Sequence, residues 1–147
     1  MAFKRVVVTL HSIKNTGTGP DPGDELEIFG RISVGKLVFV PEIGQTVAGN
    51  VKNVFDHASD QTLEIPQGFA FNFPPAHRHE LDISDGQQLQ ITGRIGEQDD
   101  IGENDFFPNI DIKKSFAGIT TETLIIPLNE SGQKIEINMS TVVAAEG

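Results

Sequence analysis

Asp24-Glu-Leu-Glu-Ile-Phe-Gly-Arg-Ile-Ser-Val34 decides the fold class. Leu26, Ile28, Gly30, Ile32 and Val34 alternate with Glu25, Glu27, Phe29, Arg31 and Ser33. A period of two, with one apolar and one mostly polar face, predicts a half-buried β-strand. The pattern returns at Gln88–Gly96, where Leu89, Ile91, Gly93 and Ile95 form the inward set and Gln88, Gln90, Thr92 and Arg94 the outward one. The two stretches echo each other as Leu-Glu-Ile-Phe-Gly-Arg-Ile (26–32) and Leu-Gln-Ile-Thr-Gly-Arg-Ile (89–95). Two central strands that each need a glycine at a bend or close approach account for the echo without invoking duplication.

Working outward, further strands are expected near Phe3–Lys14, Lys36–Val40, Thr62–Ile65, Phe69–Phe73, Ile110–Ile112, Thr121–Pro127 and Lys134–Met139. Asn129-Glu-Ser-Gly132 is a hairpin turn between the last two. Val47–Asp60 is compatible with a short helix. Many short strands with turn signals at intervals of roughly ten residues predict an all-β antiparallel β-sandwich of about eight strands. At 147 residues, and with no linker stretch, the chain is expected to form one domain over 1–147.

Composition narrows the function. The chain has 11 basic and 21 acidic residues, a formal net charge of −10. Nucleic acid is excluded as a partner on that ground, since phosphate binding needs a cationic face. The absence of Cys removes disulfides, thiolate metal sites and a cysteine nucleophile. Val6-Val-Val8 is far too short for a signal-peptide core or a membrane span. The expected location is the cytoplasm, or outside the cell by a route without a cleaved signal.

Two loops concentrate acid. The first is Gly17-Thr-Gly-Pro-Asp-Pro-Gly-Asp-Glu25, the second Gly96-Glu-Gln-Asp-Asp-Ile-Gly-Glu-Asn-Asp105. Glu97, Asp99, Asp100, Glu103 and Asp105 share the second with no basic residue among them. Carboxylates so crowded repel unless water screens them or a cation sits between them. Calcium suits the task, since it accepts six to eight oxygen ligands in flexible geometry from separate loops. The spacing is not that of an EF-hand. A solvated acidic loop tip is the competing reading.

Val6-Val-Val-Thr-Leu-His-Ser-Ile-Lys14, the Gly/Asp loop, and Asp24–Ile32 together resemble the opening of C2-like β-sandwich domains. Asp99-Asp100-Ile-Gly-Glu-Asn-Asp-Phe-Phe107 is similar to their second acidic loop. The resemblance covers Phe3–Phe107 and implies calcium as the cofactor. Its ligands would be Asp21 and Asp24 from the first loop and Asp99, Asp100 and Asp105 from the second, with Asn104 as a further candidate. The chain departs from better-known C2 domains in lacking a basic patch beside the site and, apart from Ile101, apolar loop tips. Membrane binding is therefore not expected without calcium.

Other chemistry is weakly signalled. His77-Arg-His79 places two imidazoles about 7 Å apart on one side of an extended segment. With His11 or His57 they form a transition-metal candidate, the competing reading being plain surface histidines. Ser12 beside His11, and Ser59 between His57 and Asp60, lack a nucleophile-elbow context, and Gly17-Thr-Gly lacks the end of a phosphate loop. Phe69, Phe71 and Phe73 share one strand face and are expected in the core. Of Phe106-Phe107, one ring is expected to anchor the loop base.

The sequence thus leads to a non-catalytic calcium-binding module that mediates binding or assembly through its acidic loop end. The alternative is a self-associating structural subunit, a homo-oligomer, pairing through the Thr121–Met139 hairpin and the tail Ser140–Gly147.

Overall fold

The computed structural model describes residues 1–19, 25–98 and 104–147. Among them the chain forms eleven β-strands and one 3-10 turn. In chain order the strands are β1 (Phe3–Thr18), β2 (Glu25–Val40), β3 (Gln45–His57), β4 (Leu63–Pro66), β5 (Ala70–Asn72), β6 (Arg78–Ser84), β7 (Gln88–Glu97), β8 (Asp105–Phe106), β9 (Ile110–Ser115), β10 (Glu122–Glu130) and β11 (Gln133–Glu146). The turn, Phe116–Gly118, is capped by Ser115, whose hydroxyl accepts from the Gly118 amide.

The strands form two antiparallel sheets. In the first, β1 lies between β11 on one side and β5 and β6 on the other, with β10 outside β11. In the second, β2 is flanked by β7 and by β3 and β4, and β7 carries β8 and β9 on its far edge. The sandwich expected from alternation is the observed architecture. Val6, Val8, Leu10 and Ile13 of β1 meet Leu26, Ile28, Ile32 and Val34 of β2 and Leu89, Ile91 and Ile95 of β7 in one apolar core. Each such fully buried aliphatic side chain contributes on the order of 1.5–3 kcal/mol.

The echoing segments turn out to be direct neighbours. β2 and β7 pair so that Gly30 faces Ile95, Arg31 faces Arg94 and Ile32 faces Gly93. Gly30 adopts φ 128°, and a Cβ there would stand 2.1 Å from the Arg94 carbonyl oxygen. The Ser131-Gly132 turn joins β10 to β11 with φ of 51° and 84°, both left-handed as a two-residue hairpin requires.

Several elements differ from expectation. The segment at Lys36–Val40 is not separate, because β2 runs on to Val40 through register shifts. Residues 47–57 are strand, not helix: β3 is an edge whose first nine residues keep mostly exposed side chains, so no apolar alternation marks it. Strands β6 and β8 were hidden for related reasons, one amid charged residues and the other only two residues long. Phe69 and Phe71 are 66% and 39% exposed, and only Phe73 packs on the core, because β5 is a three-residue edge strand. The tail is not free: Ser140–Glu146 pairs within the chain against Lys4–Thr9 of β1.

The edges β3 and β6 of opposite sheets are stitched by side chains. His77 donates through Nδ1 to the Val54 carbonyl at 2.8 Å, and His79 through Nε2 to that of Asn50 at 2.6 Å. Lys52 donates in return to the Arg78 carbonyl at 2.8 Å, and Lys36 of the neighbouring β2 donates to that of Asp82 at 2.9 Å. These contacts give His77 and His79 a structural task.

Candidate functional site

Strand register decides which loops share an end of the sandwich. Thr18, the last residue of β1, pairs with Gln133, the first of β11. The first residues of β2, Glu25–Ile28, lie beside β4, and Glu97 at the end of β7 is opposite Ile28. The Gln98 amide then donates to the Glu27 carbonyl at 2.9 Å. Both acidic connections, residues 19–24 between β1 and β2 and 98–104 between β7 and β8, are therefore bracketed by strand ends at one pole. The tight turn after β10 and the crossover from β4 to β5 complete that pole. There the Thr18 hydroxyl donates to the Gln67 side chain at 3.2 Å.

Of the six metal ligands expected, Asp21, Asp24, Asp99 and Asp100 lie outside the described residues. Asn104 and Asp105 stand at the pole, half-buried, with Asp105 opposite Glu97 across the β7–β8 pair. Glu97, not among the six, is only 4% exposed, and the Gln133 amide nitrogen donates to it at 3.5 Å. Glu25, Glu27 and Glu130 add charge to the same end. Among the described residues, no three His, Cys, Asp or Glu side chains converge closely enough to hold a metal ion.

The aromatic base of the second loop is ordered as expected. Phe107 is 2% exposed and enters the core, while Phe106 is 38% exposed. Phe106 meets Phe29 edge to face, at 5.6 Å between ring centres. Phe29 occupies an outward position on β2, yet it is buried because it lies over Gly96, where a Cβ would come within 2.5 Å of its ring.

The four histidines do not gather. His11 bonds the Ser140 hydroxyl at 2.7 Å and His57 the Gln61 carbonyl at 2.7 Å, while His77 and His79 engage the β3 backbone. The metal reading of His77-Arg-His79 is thereby displaced by sheet-to-sheet bonding.

Sequence reasoning missed a groove of about 830 Å³ on the outer face of the second sheet, into which Phe29, Arg31, Asp56, Arg94, Phe106 and Asp111 project. Its signal was already present in the echo, since Gly-Arg-Ile recurs with both arginines at outward positions.

Strand pairing and the shared core define the class as an antiparallel β-sandwich with an acidic loop pole. No protein-family model and no curated protein matches the chain. Among solved structures, it is similar to the C2A domain of plant Extended Synaptotagmin 1, at 9% identity over 95% of this chain and 92% of that one, with a TM-score of 0.40.

Proposed function

We propose that the chain is a non-catalytic module that binds calcium at its acidic pole and, so ordered, contacts a protein partner or a further copy of itself. The observation carrying this reading is the register of β2 against β7, which brackets both acidic connections at one end with Glu97 and Asp105 between them. Crowded carboxylates raise the free energy of the folded state through mutual repulsion, and a divalent cation relieves it by coordinating them together. Asp21, Asp24, Asp99, Asp100, Asn104 and Asp105 supply more oxygen donors than one calcium ion needs, and Glu97 adds a carboxylate at the base.

Because the ion would bind the folded chain and not the unfolded one, calcium at a hundred times its dissociation constant stabilises by about 2.7 kcal/mol. The test is thermal unfolding of the full chain in calcium and in chelator. A melting temperature that rises with calcium, and no longer does so after D24N plus D99N, is the expected result. Identical curves in both buffers would sink the proposal.

The second reading, a self-associating subunit, is favoured by a separate observation. Beyond Leu37 the hairpin of β2 and β3 extends past β7, and its Phe39, Ile43 and Val47 are 57%, 58% and 37% exposed. Exposed apolar side chains on a projecting arm are a contact surface. Sedimentation separates the readings: a monomer at high concentration without calcium excludes this one.

A further inference from the structure

The groove on the outer face of the second sheet has an electrostatic feature that folding does not explain. Arg31 and Arg94 face each other directly across β2 and β7. Like charges so placed destabilise a sheet, and here the two meet in a chain with 21 acids for 11 bases. Because the strands are antiparallel and the Gly-Arg-Ile triplets pair about their arginines, a local two-fold axis passes between the two guanidinium-bearing positions.

Neither arginine is neutralised well. Arg31 reaches Asp56 through Nε at 3.5 Å, with both side chains more than half exposed (62% and 52%), a geometry of little energetic value. Arg94 lies over the Phe106 ring at 4.0 Å and donates to the Asn109 side chain at 3.4 Å. Among the described residues no carboxylate pairs with Arg94. Contact with a ring face leaves N–H donors of a guanidinium available, and an arginine takes an oxyanion through two parallel hydrogen bonds.

The surroundings specify more than an ion. A groove of about 830 Å³ lies in the size range of small-molecule sites. Ser33 and Thr92, two residues along from the arginines, pair across the same face. Asp56 and Asp111 line its two flanks. Two arginines set between two aspartates suit a single negative charge on a molecule rich in hydroxyls, since the aspartates accept hydrogen bonds from hydroxyls and repel a second charge. The geometry points to a sugar acid as the ligand, its carboxylate between Arg31 and Arg94 and its hydroxyls on Asp56, Asp111, Ser33 and Thr92. The groove adjoins the acidic pole at Phe106, but none of the polar groups assigned to the ligand is among the expected calcium ligands.

The test is an amide chemical-shift titration of the full chain in chelator at constant ionic strength. The probes are D-glucuronate, trigalacturonate, inorganic phosphate and D-glucose. Saturable shifts centred on Arg31, Ser33, Thr92 and Arg94 are expected with glucuronate if the ligand is a free acid. If it is part of a polysaccharide, trigalacturonate gives the tighter binding. R94Q and R31Q are each expected to weaken binding about tenfold or more, the usual consequence of deleting a charged hydrogen-bond donor. Neither should lower the melting temperature, because each removes a repulsion, and R94K, which keeps the charge and loses the fork, should fall between. Absence of saturable shifts with both acids, equal shifts with glucose, phosphate binding as tightly as glucuronate, or unchanged binding in R94Q would each overturn the assignment.

Discussion

Gly30 carries a constraint that no other residue type meets. Its φ of 128° lies where side chains are strained, and an added Cβ would collide with the Arg94 carbonyl oxygen on the central neighbouring strand. G30A is therefore expected to cost about 3 kcal/mol in urea unfolding, combining backbone strain with overpacking. G44A, at φ 62° with open space around it, carries strain alone and should cost about 1 kcal/mol. Asp82 makes a different kind of contribution. Arg5 holds it by two hydrogen bonds at 2.9 and 3.1 Å, and this pairing depresses its pKa below the ordinary aspartate value. A carboxylate with a lowered folded-state pKa adds stability that is present above the unfolded pKa and is lost as pH falls through the folded one. Glu122, lowered by Lys114 and then by the Thr120 hydroxyl, acts in the same direction. Both pairs are solvent-exposed, so the effect is small. Acid titration of the melting temperature below about pH 4 is expected to be shallower in D82N than in the parent chain. Gly30 was legible as a needed glycine from its place in the alternation, whereas the Asp82 pairing depends on a strand, β6, that carries no clear pattern.

Among the strands, β11 illustrates how a segment with a weak signal becomes indispensable. Residues 141–146 contain small apolar side chains, and a register shift between Arg5 and Val6 interrupts their pairing with β1. They nevertheless cover the N-terminal half of β1, and the buried Thr141 hydroxyl donates to the Thr120 carbonyl at 2.6 Å. T141V is expected to lose about 1 kcal/mol by leaving that carbonyl without its bond. Removal of residues 141–147 should abolish the cooperative thermal transition seen by circular dichroism, since it bares one edge of the central strand β1. A truncated chain that melts like the parent would refute this placement of the tail. The hairpin turn before β11 was readable because Ser131-Gly132 has the chemistry of a two-residue turn. The pairing of the tail was not, since nothing local distinguishes docking on β1 from docking on another molecule.

Taken together, the two sheets create one pole where acid is concentrated and one outer face where two of the few cations are placed side by side. Calcium dependence of stability belongs to the pole. Besides the rise in melting temperature, calcium is expected to leave amide shifts around Gly35 and Asp85 unchanged while moving those of Gln98, Asn104 and Asp105. Shifts spread evenly over the sandwich would argue for a diffuse screening effect in place of a site. The groove answers to a different probe, an acid bearing hydroxyls, and its response in chelator separates it from the pole. Two acid-rich loops were readable from residue type and the six ligand candidates were nameable from the resemblance of those loops to C2-like domains, while the topology adds that the strand ends flanking them converge.

Alternation along β2 and β7, the hairpin at Ser131-Gly132 and the surplus of carboxylates were all readable from the chain, because each is a local property: side chains alternate across a strand, turns need particular backbone angles, and charges add. The course of β3, the exposure of Phe69 and Phe71, the intramolecular pairing of the tail and the meeting of Arg31 with Arg94 were decided by the packed sheets. Each depends on which strand lies beside which, and that is set by long-range burial of the core, where a change of neighbour moves a residue between interior, edge and solvent while its own local sequence stays the same.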